Sequence, residues 1–119
     1  MGTISSYRDL TVWQKAMDLV MEVYHITEKF SKSELYGLTS QMRRSAVSIV
    51  SNIAEGKARG TRKDYRHFLI NSYGSGAELE TQIEIAKKLK FTEESSYHKI
   101  NMLLEEIMKM LNVLIRKLE

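Results

Sequence analysis

The chain has 119 residues, 43% apolar and 28% charged, a net charge of +3, and neither cysteine nor proline. A chain of this size can bury a core without cross-links, so one globular domain over 1–119 is expected, while a disulfide scaffold and a thiolate zinc site are excluded. With no proline and only 6 glycines, little interrupts helices, and the composition leans all-α.

In chain order, residues 1–8 lack the apolar segment of a secretory signal and are expected to form a short flexible N-terminus. The longest uncharged runs, Ser45 to Ala54 and Phe68 to Ala77, are too short to cross a bilayer, which takes about 20 helical residues. A cytoplasmic protein without membrane contact is the expectation. The first helix is expected over about 10–30, with Val12, Ala16, Leu19, Val20, Val23, Ile26 and Phe30 on one stripe at three- and four-residue steps. The second, over about 33–57, aligns Leu38, Met42, Ala46, Ile49 and Ile53. A third, over about 61–90, aligns Tyr65, Phe68, Leu69, Leu79, Ile83, Ala86 and Leu89. The fourth, over about 94–118, aligns Ile100, Leu103, Leu104, Ile107, Leu111, Leu114, Ile115 and Leu118.

Start signals precede each stripe. Thr11/Gln14, Ser31/Glu34 and Thr61/Asp64 are candidate capping pairs, and Thr92 is followed by Glu93 and Glu94, whose charge suits the first turn of a helix. Four amphipathic helices joined by short connections predict an antiparallel up-down-up-down four-helix bundle. Gly74-Ser75-Gly76-Ala77 inside the third helix reads either as a tight crossing where another backbone approaches or as a local kink. A polar stripe on the second helix, Gln41, Ser45, Ser48 and Asn52, either meets Ser72, Ser75, Glu78 or Gln82 across an interface or faces solvent.

A second apolar stripe on the first helix, Trp13, Met17, Met21 and Tyr24, with Met102, Met108 and Met110 on the fourth, exceeds what one bundle needs. It is expected to form a homo-oligomer interface, the alternative being absorption into a wide core.

Catalytic motifs are not found. Glu22 and His25 make the single Glu-x-x-His pair, short of a di-iron set, and His67 and His98 lack the partner, so no metal and no cofactor are expected. Gly74-Ser75-Gly76 is not a nucleophile elbow, and Gly56-Lys57-Ala58-Arg59-Gly60-Thr61 does not have P-loop spacing. Glu55, Glu78, Glu80 and Glu84 read as a helix surface or as ion-pair partners of Arg43 or Arg44. No enzyme activity is expected. Charge is unevenly placed instead: residues 41–67 hold the cations Arg43, Arg44, Lys57, Arg59, Arg62, Lys63 and Arg66 against Glu55 and Asp64 alone. The densest part is the turn between the second and third helices, where Tyr65 and His67 interleave. Such a cluster neutralises phosphates, so non-specific RNA or DNA binding is expected, with no base-reading motif in evidence. The alternative is a scaffold or adaptor that recognises a protein partner through the Trp13 to Tyr24 stripe.

Four ordered blocks are familiar: Asp9 to Ala16 (DLTVWQKA), Leu38 to Ile49 (LTSQMRRSAVSI), Ser51 to Gly56 (SNIAEG) and Glu78 to Ala86 (ELETQIEIA). Over about 7–118 they resemble the family named for proteins encoded in intervening sequences of bacterial 23S ribosomal RNA genes. The resemblance implies a small antiparallel bundle that assembles as a homopentamer, with no established enzymatic activity and an undefined role. Related bundles accompany the reverse transcriptases of diversity-generating retroelements, which makes an accessory role of that kind one form of the adaptor reading. Two departures concern bends: Val50 stands where the family often has proline, and Leu89-Lys90-Phe91 lacks the glycine often found at that turn.

Overall fold

A computed structural model describes residues 6–119 of the chain. Four helices dominate it: α1 (Thr11–Thr27), α2 (Ser40–Arg59), α3 (Arg62–Lys88) and α4 (His98–Lys117), with no strand among the described residues. Around a closed ring α1 packs on α2 and α4, and α3 packs on the same two. Cross-helix pairs give the directions. Lys15 and Glu22 of α1 pair with Glu106 and Lys99 of α4. The Ser48 and Ser75 hydroxyls join α2 to α3, where Gly56 also lies against Phe68. Gly76 and Arg66 of α3 meet Met108 and Ile115 of α4. In each case one number rises as the other falls, so these neighbours run antiparallel, and the bundle measures 46 × 22 × 20 Å.

The four expected stripes meet in one interior. Leu19, Met42, Ile49, Ile53, Leu69, Leu79, Ile83, Ile100, Leu104, Ile107 and Leu111 are each 2% exposed or less, and burying a side chain of this kind contributes roughly 1.5–3 kcal/mol. Phe68 and Leu89 are the exceptions. Phe68 is half-buried outside the core cluster, against Gly56 and Arg59, and Leu89 lies beyond the last residue of α3 and is exposed.

Helix ends differ from expectation in physical detail. Thr61 caps α3 as expected, its hydroxyl accepting the Asp64 N–H at 3.1 Å. Thr11 instead becomes the first residue of α1 with Leu10 before it, and Gln14 donates to the Arg8 carbonyl at 2.9 Å. Ser31 caps only a 3₁₀ turn, Lys32–Glu34, and a π-helical segment, Leu35–Thr39, follows with non-helical angles at Gly37. That break moves the start of α2 to Ser40 rather than about 33. Thr92 caps nothing: a 3₁₀ turn, Glu94–Tyr97, precedes α4. The flexible N-terminus expected over about 1–8 falls for residues 1–5 outside the described residues, and Tyr7–Asp9 form a 3₁₀ turn capped by Ser6.

α3 passes through Gly74 to Ala77 without a break. A side chain at Gly74 would meet open space, and Gly76 is confined by the Met108 side chain, not by another backbone. The close approach lies at Gly56, where a Cβ would stand 2.7 Å from the Phe68 Cβ and 3.2 Å from the Tyr65 carbonyl oxygen. Two residues alone connect α2 to α3 there, Gly60 in the left-handed region (φ 85°) and extended Thr61, and so short a link holds the helices together. The polar stripe seals the same seam: Ser48 and Ser75 hydroxyls at 2.8 Å, Ser72 donating to the Ile49 carbonyl at 2.8 Å, and Asn52 donating to the Ser48 carbonyl at 2.8 Å.

Candidate nucleic-acid interface

The α2–α3 turn and the last turn of α4 share one end of the bundle. Lys57 and Arg59 end α2, and Arg62, Lys63 and Arg66 open α3 on successive turns. Arg62, Lys63 and Arg66 line a shallow groove of about 800 Å³ together with His67, Ile70, Leu118 and the acidic Glu119. Arg116 and Lys117 bring two further cations to this end, which sequence reasoning missed. The available signal was the basic last turn of a helix expected to run antiparallel to the third.

Several of these cations have internal partners. Arg59 pairs with Glu55 at 2.7 Å, an ion pair that holds its guanidinium above the usual range, and lies 4.9 Å from the Phe68 ring centre. Arg62 donates to the Lys117 carbonyl, and Arg66 donates to the Ile115 carbonyl at 3.1 Å while pairing with Glu119 at 3.6 Å. Both arginines thereby cap the C-terminus of α4, where unpaired carbonyls and the helix dipole favour a cation. A carbonyl is neutral, so these bonds place the charge without cancelling it, and only Arg66 is partly offset, by Glu119. Lys63 makes no hydrogen bond or ion pair among the described residues, and the Lys57 ammonium lies 5.4 Å from the Tyr65 ring centre. Against the seven cations stand Glu55, Asp64 and Glu119.

Arg43 and Arg44 do not join this group. Sixteen residues of helix separate Arg43 from Arg59, roughly 24 Å at 1.5 Å per residue. At the far end Arg43 donates to the Thr27 hydroxyl at 2.9 Å and stacks 4.5 Å from the Tyr24 ring centre. Neither arginine pairs with the glutamates named above: Glu55 binds Arg59, and Glu84 binds Lys87.

The apolar stripe divides too. Trp13 is half-buried and packs against the core and the Tyr7 ring, 5.5 Å between centres. Met17, Met21 and Tyr24 are exposed and continue through Leu35 and Tyr36 to Val47 on α2. Met108 is buried against Gly76 and adds no surface, while Ile70, Tyr73 and Ile85 expose apolar area on α3 that sequence reasoning missed. No helix among the described residues is long and apolar enough to cross a membrane, and no group of three metal-ligating side chains occurs among them.

A family model described as 23S rRNA-intervening sequence protein matches residues 8–113. No curated protein matches. A crystal structure of a protein of unknown function from the S23 ribosomal protein family of Bacteroides thetaiotaomicron is similar at 23% identity and a TM-score of 0.81, over 88% of this chain and 98% of that one.

Proposed function

The chain belongs to the 23S rRNA-intervening sequence protein family, and we propose that it acts without catalysis in the cytoplasm, as a self-associating helical bundle that binds RNA or DNA non-specifically at the α2–α3 turn. The observation that supports this reading is the excess of cations at this end of the bundle, where Lys63 makes no hydrogen bond or ion pair among the described residues and Arg62 is held on a neutral α4 carbonyl. Each phosphate that such a surface neutralises releases counterions, so affinity falls steeply with salt, with a log–log slope of about −0.9 per phosphate on a duplex. Lys57 and Lys63 are the residues to change, because removing Arg62 or Arg66 also uncaps α4. In the Lys57→Ala/Lys63→Ala double variant the slope should shrink by about 2 while the helical circular-dichroism signal stays unchanged. An unaltered slope refutes the reading.

Self-association is assigned to the exposed face of Met17, Met21, Tyr24, Leu35, Tyr36 and Val47, and the pentamer implied by the resemblance is the proposed state. Apolar, Met- and aromatic-rich surface of this kind is enriched at interfaces. Sedimentation should give a pentamer that Met21→Glu dissociates; a monomer at tens of micromolar refutes it.

A further inference from the structure

Helices α1 and α3 stand diagonally across the bundle, and each carries exposed apolar area, with opposite charge beside it. The first area is the α1–α2 face already assigned to self-association. It ends in a cup of about 480 Å³, where Tyr24, Leu35, Tyr36 and Val47 are joined by the cations Arg43 and Arg44 and by no acid. The second runs along the outer side of α3, where Ile70, Tyr73 and Ile85 are exposed. Ile70, Gly74, Ala77, Thr81 and Ile85 recur there at steps of four, three, four and four, which places them on one helical stripe. Residues 67–86 contain three acids, Glu78, Glu80 and Glu84, and no lysine or arginine. Glu84 pairs with Lys87, whereas Glu78, Glu80 and Arg44 make no ion pair among the described residues. Gly74 answers to nothing inside the protomer: a Cβ there would meet open space, although a glycine in a helix interior costs roughly 0.5–1 kcal/mol relative to alanine. With Ala77 and Thr81 it leaves a trough of about 400 Å³ that Ile85 and Glu78 border. Tyr36, 95% exposed at the cup, is a projection of the opposite shape.

We propose that these two faces bind each other between copies of the chain, the α1–α2 face of one protomer seating on the outer side of α3 in the next. The inference rests on the self-association reading and adds the surface that receives the face assigned there. Charge selects this pairing. Cup against cup sets Arg43 and Arg44 against the same two cations, and α3 against α3 sets three glutamates against three, both of which are unfavourable. Cup against α3 buries apolar area on both sides and brings cations to acids. A contact between two different surfaces is heterologous, so every added copy presents one unused face until a ring closes. A two-fold dimer, which uses one patch twice, does not satisfy it.

The test is sedimentation of the full chain with one variant on each face, Met21→Glu on the first and Ile85→Arg on the second. Both positions are exposed, so the helical circular-dichroism signal should be retained in each. Each variant alone should be monomeric at tens of micromolar, where the unaltered chain assembles. Each also keeps the face that the other has lost. An equimolar mixture should therefore form a 1:1 heterodimer and nothing larger, an outcome that a like-with-like interface does not give. An assembly that withstands Ile85→Arg, or a mixture that stays monomeric, overturns the proposal and leaves self-association through the first face standing. If the unaltered chain is itself a monomer, both readings fall and the two faces are left to a different protein.

Discussion

Tyr97 has no exposed surface, and its hydroxyl finds no hydrogen-bond partner among the described residues. Burial raises its pKa above the usual value of about 10, as it does for Tyr65. The consequence has a definite sign. Below about pH 10 the phenol is neutral in both states; above it the unfolded chain ionises first, so stability is lost as pH rises through the folded-state value. Tyr97→Phe should therefore leave stability at pH 7 unchanged or raise it by up to about 1 kcal/mol, and its advantage should widen near pH 11, as read from urea midpoints. A loss above about 1 kcal/mol at pH 7 would show that the hydroxyl has a partner. Nothing in the sequence marks Tyr97, because a lone tyrosine in the first turn of the expected fourth helix reads equally well as rim or core.

Among the elements, the α3 terminus shows how a missing residue type is accommodated. Lys90 takes the left-handed conformation (φ 56°) that glycine would fill, the Phe91 N–H bonds the Ala86 carbonyl and the Lys90 N–H the Lys87 carbonyl, each at 3.1 Å. This double bond pattern closes the helix, and Phe91 then packs edge-on against Phe30. A side chain in this region costs roughly 1–2 kcal/mol, so Lys90→Gly should raise the melting temperature. Val50 has a parallel outcome: with no proline there, α2 runs unbroken and Val50 is buried. The glycines differ in sign. Gly56→Ala should cost about 1–3 kcal/mol by overpacking against Phe68, whereas Gly74→Ala, facing open space in a helix interior, should gain about 0.5–1 kcal/mol. Thermal unfolding of the two variants separates them. Helix stripes were legible because they depend on a three-to-four period; the close approach was not, since it depends on where two helices converge.

At the scale of the whole molecule, the cationic turn was readable from composition, but its partners were not. Arg62 and Arg66 reach carbonyls 49 or more residues away in sequence, a relation that only antiparallel packing creates. Helix rise along α2, in turn, separates Arg43 and Arg44 in space from the turn with which they group along the chain. Replacing Arg66 by Ala should accordingly lower stability by about 1–3 kcal/mol, as for a charged hydrogen bond, whereas Glu119→Gln, which keeps the carbonyl bond and removes only an exposed ion pair, should cost well under about 1 kcal/mol; chemical denaturation of both variants tests it. The two-residue link between α2 and α3 has a further, temporal consequence. Its ends are nearly closed before any distant contact exists, so loop-closure entropy is smallest for this hairpin. In refolding, the α2–α3 pair should therefore nucleate first, with α1 and α4 condensing onto it, and substitutions along its serine seam should slow folding more than they hasten unfolding.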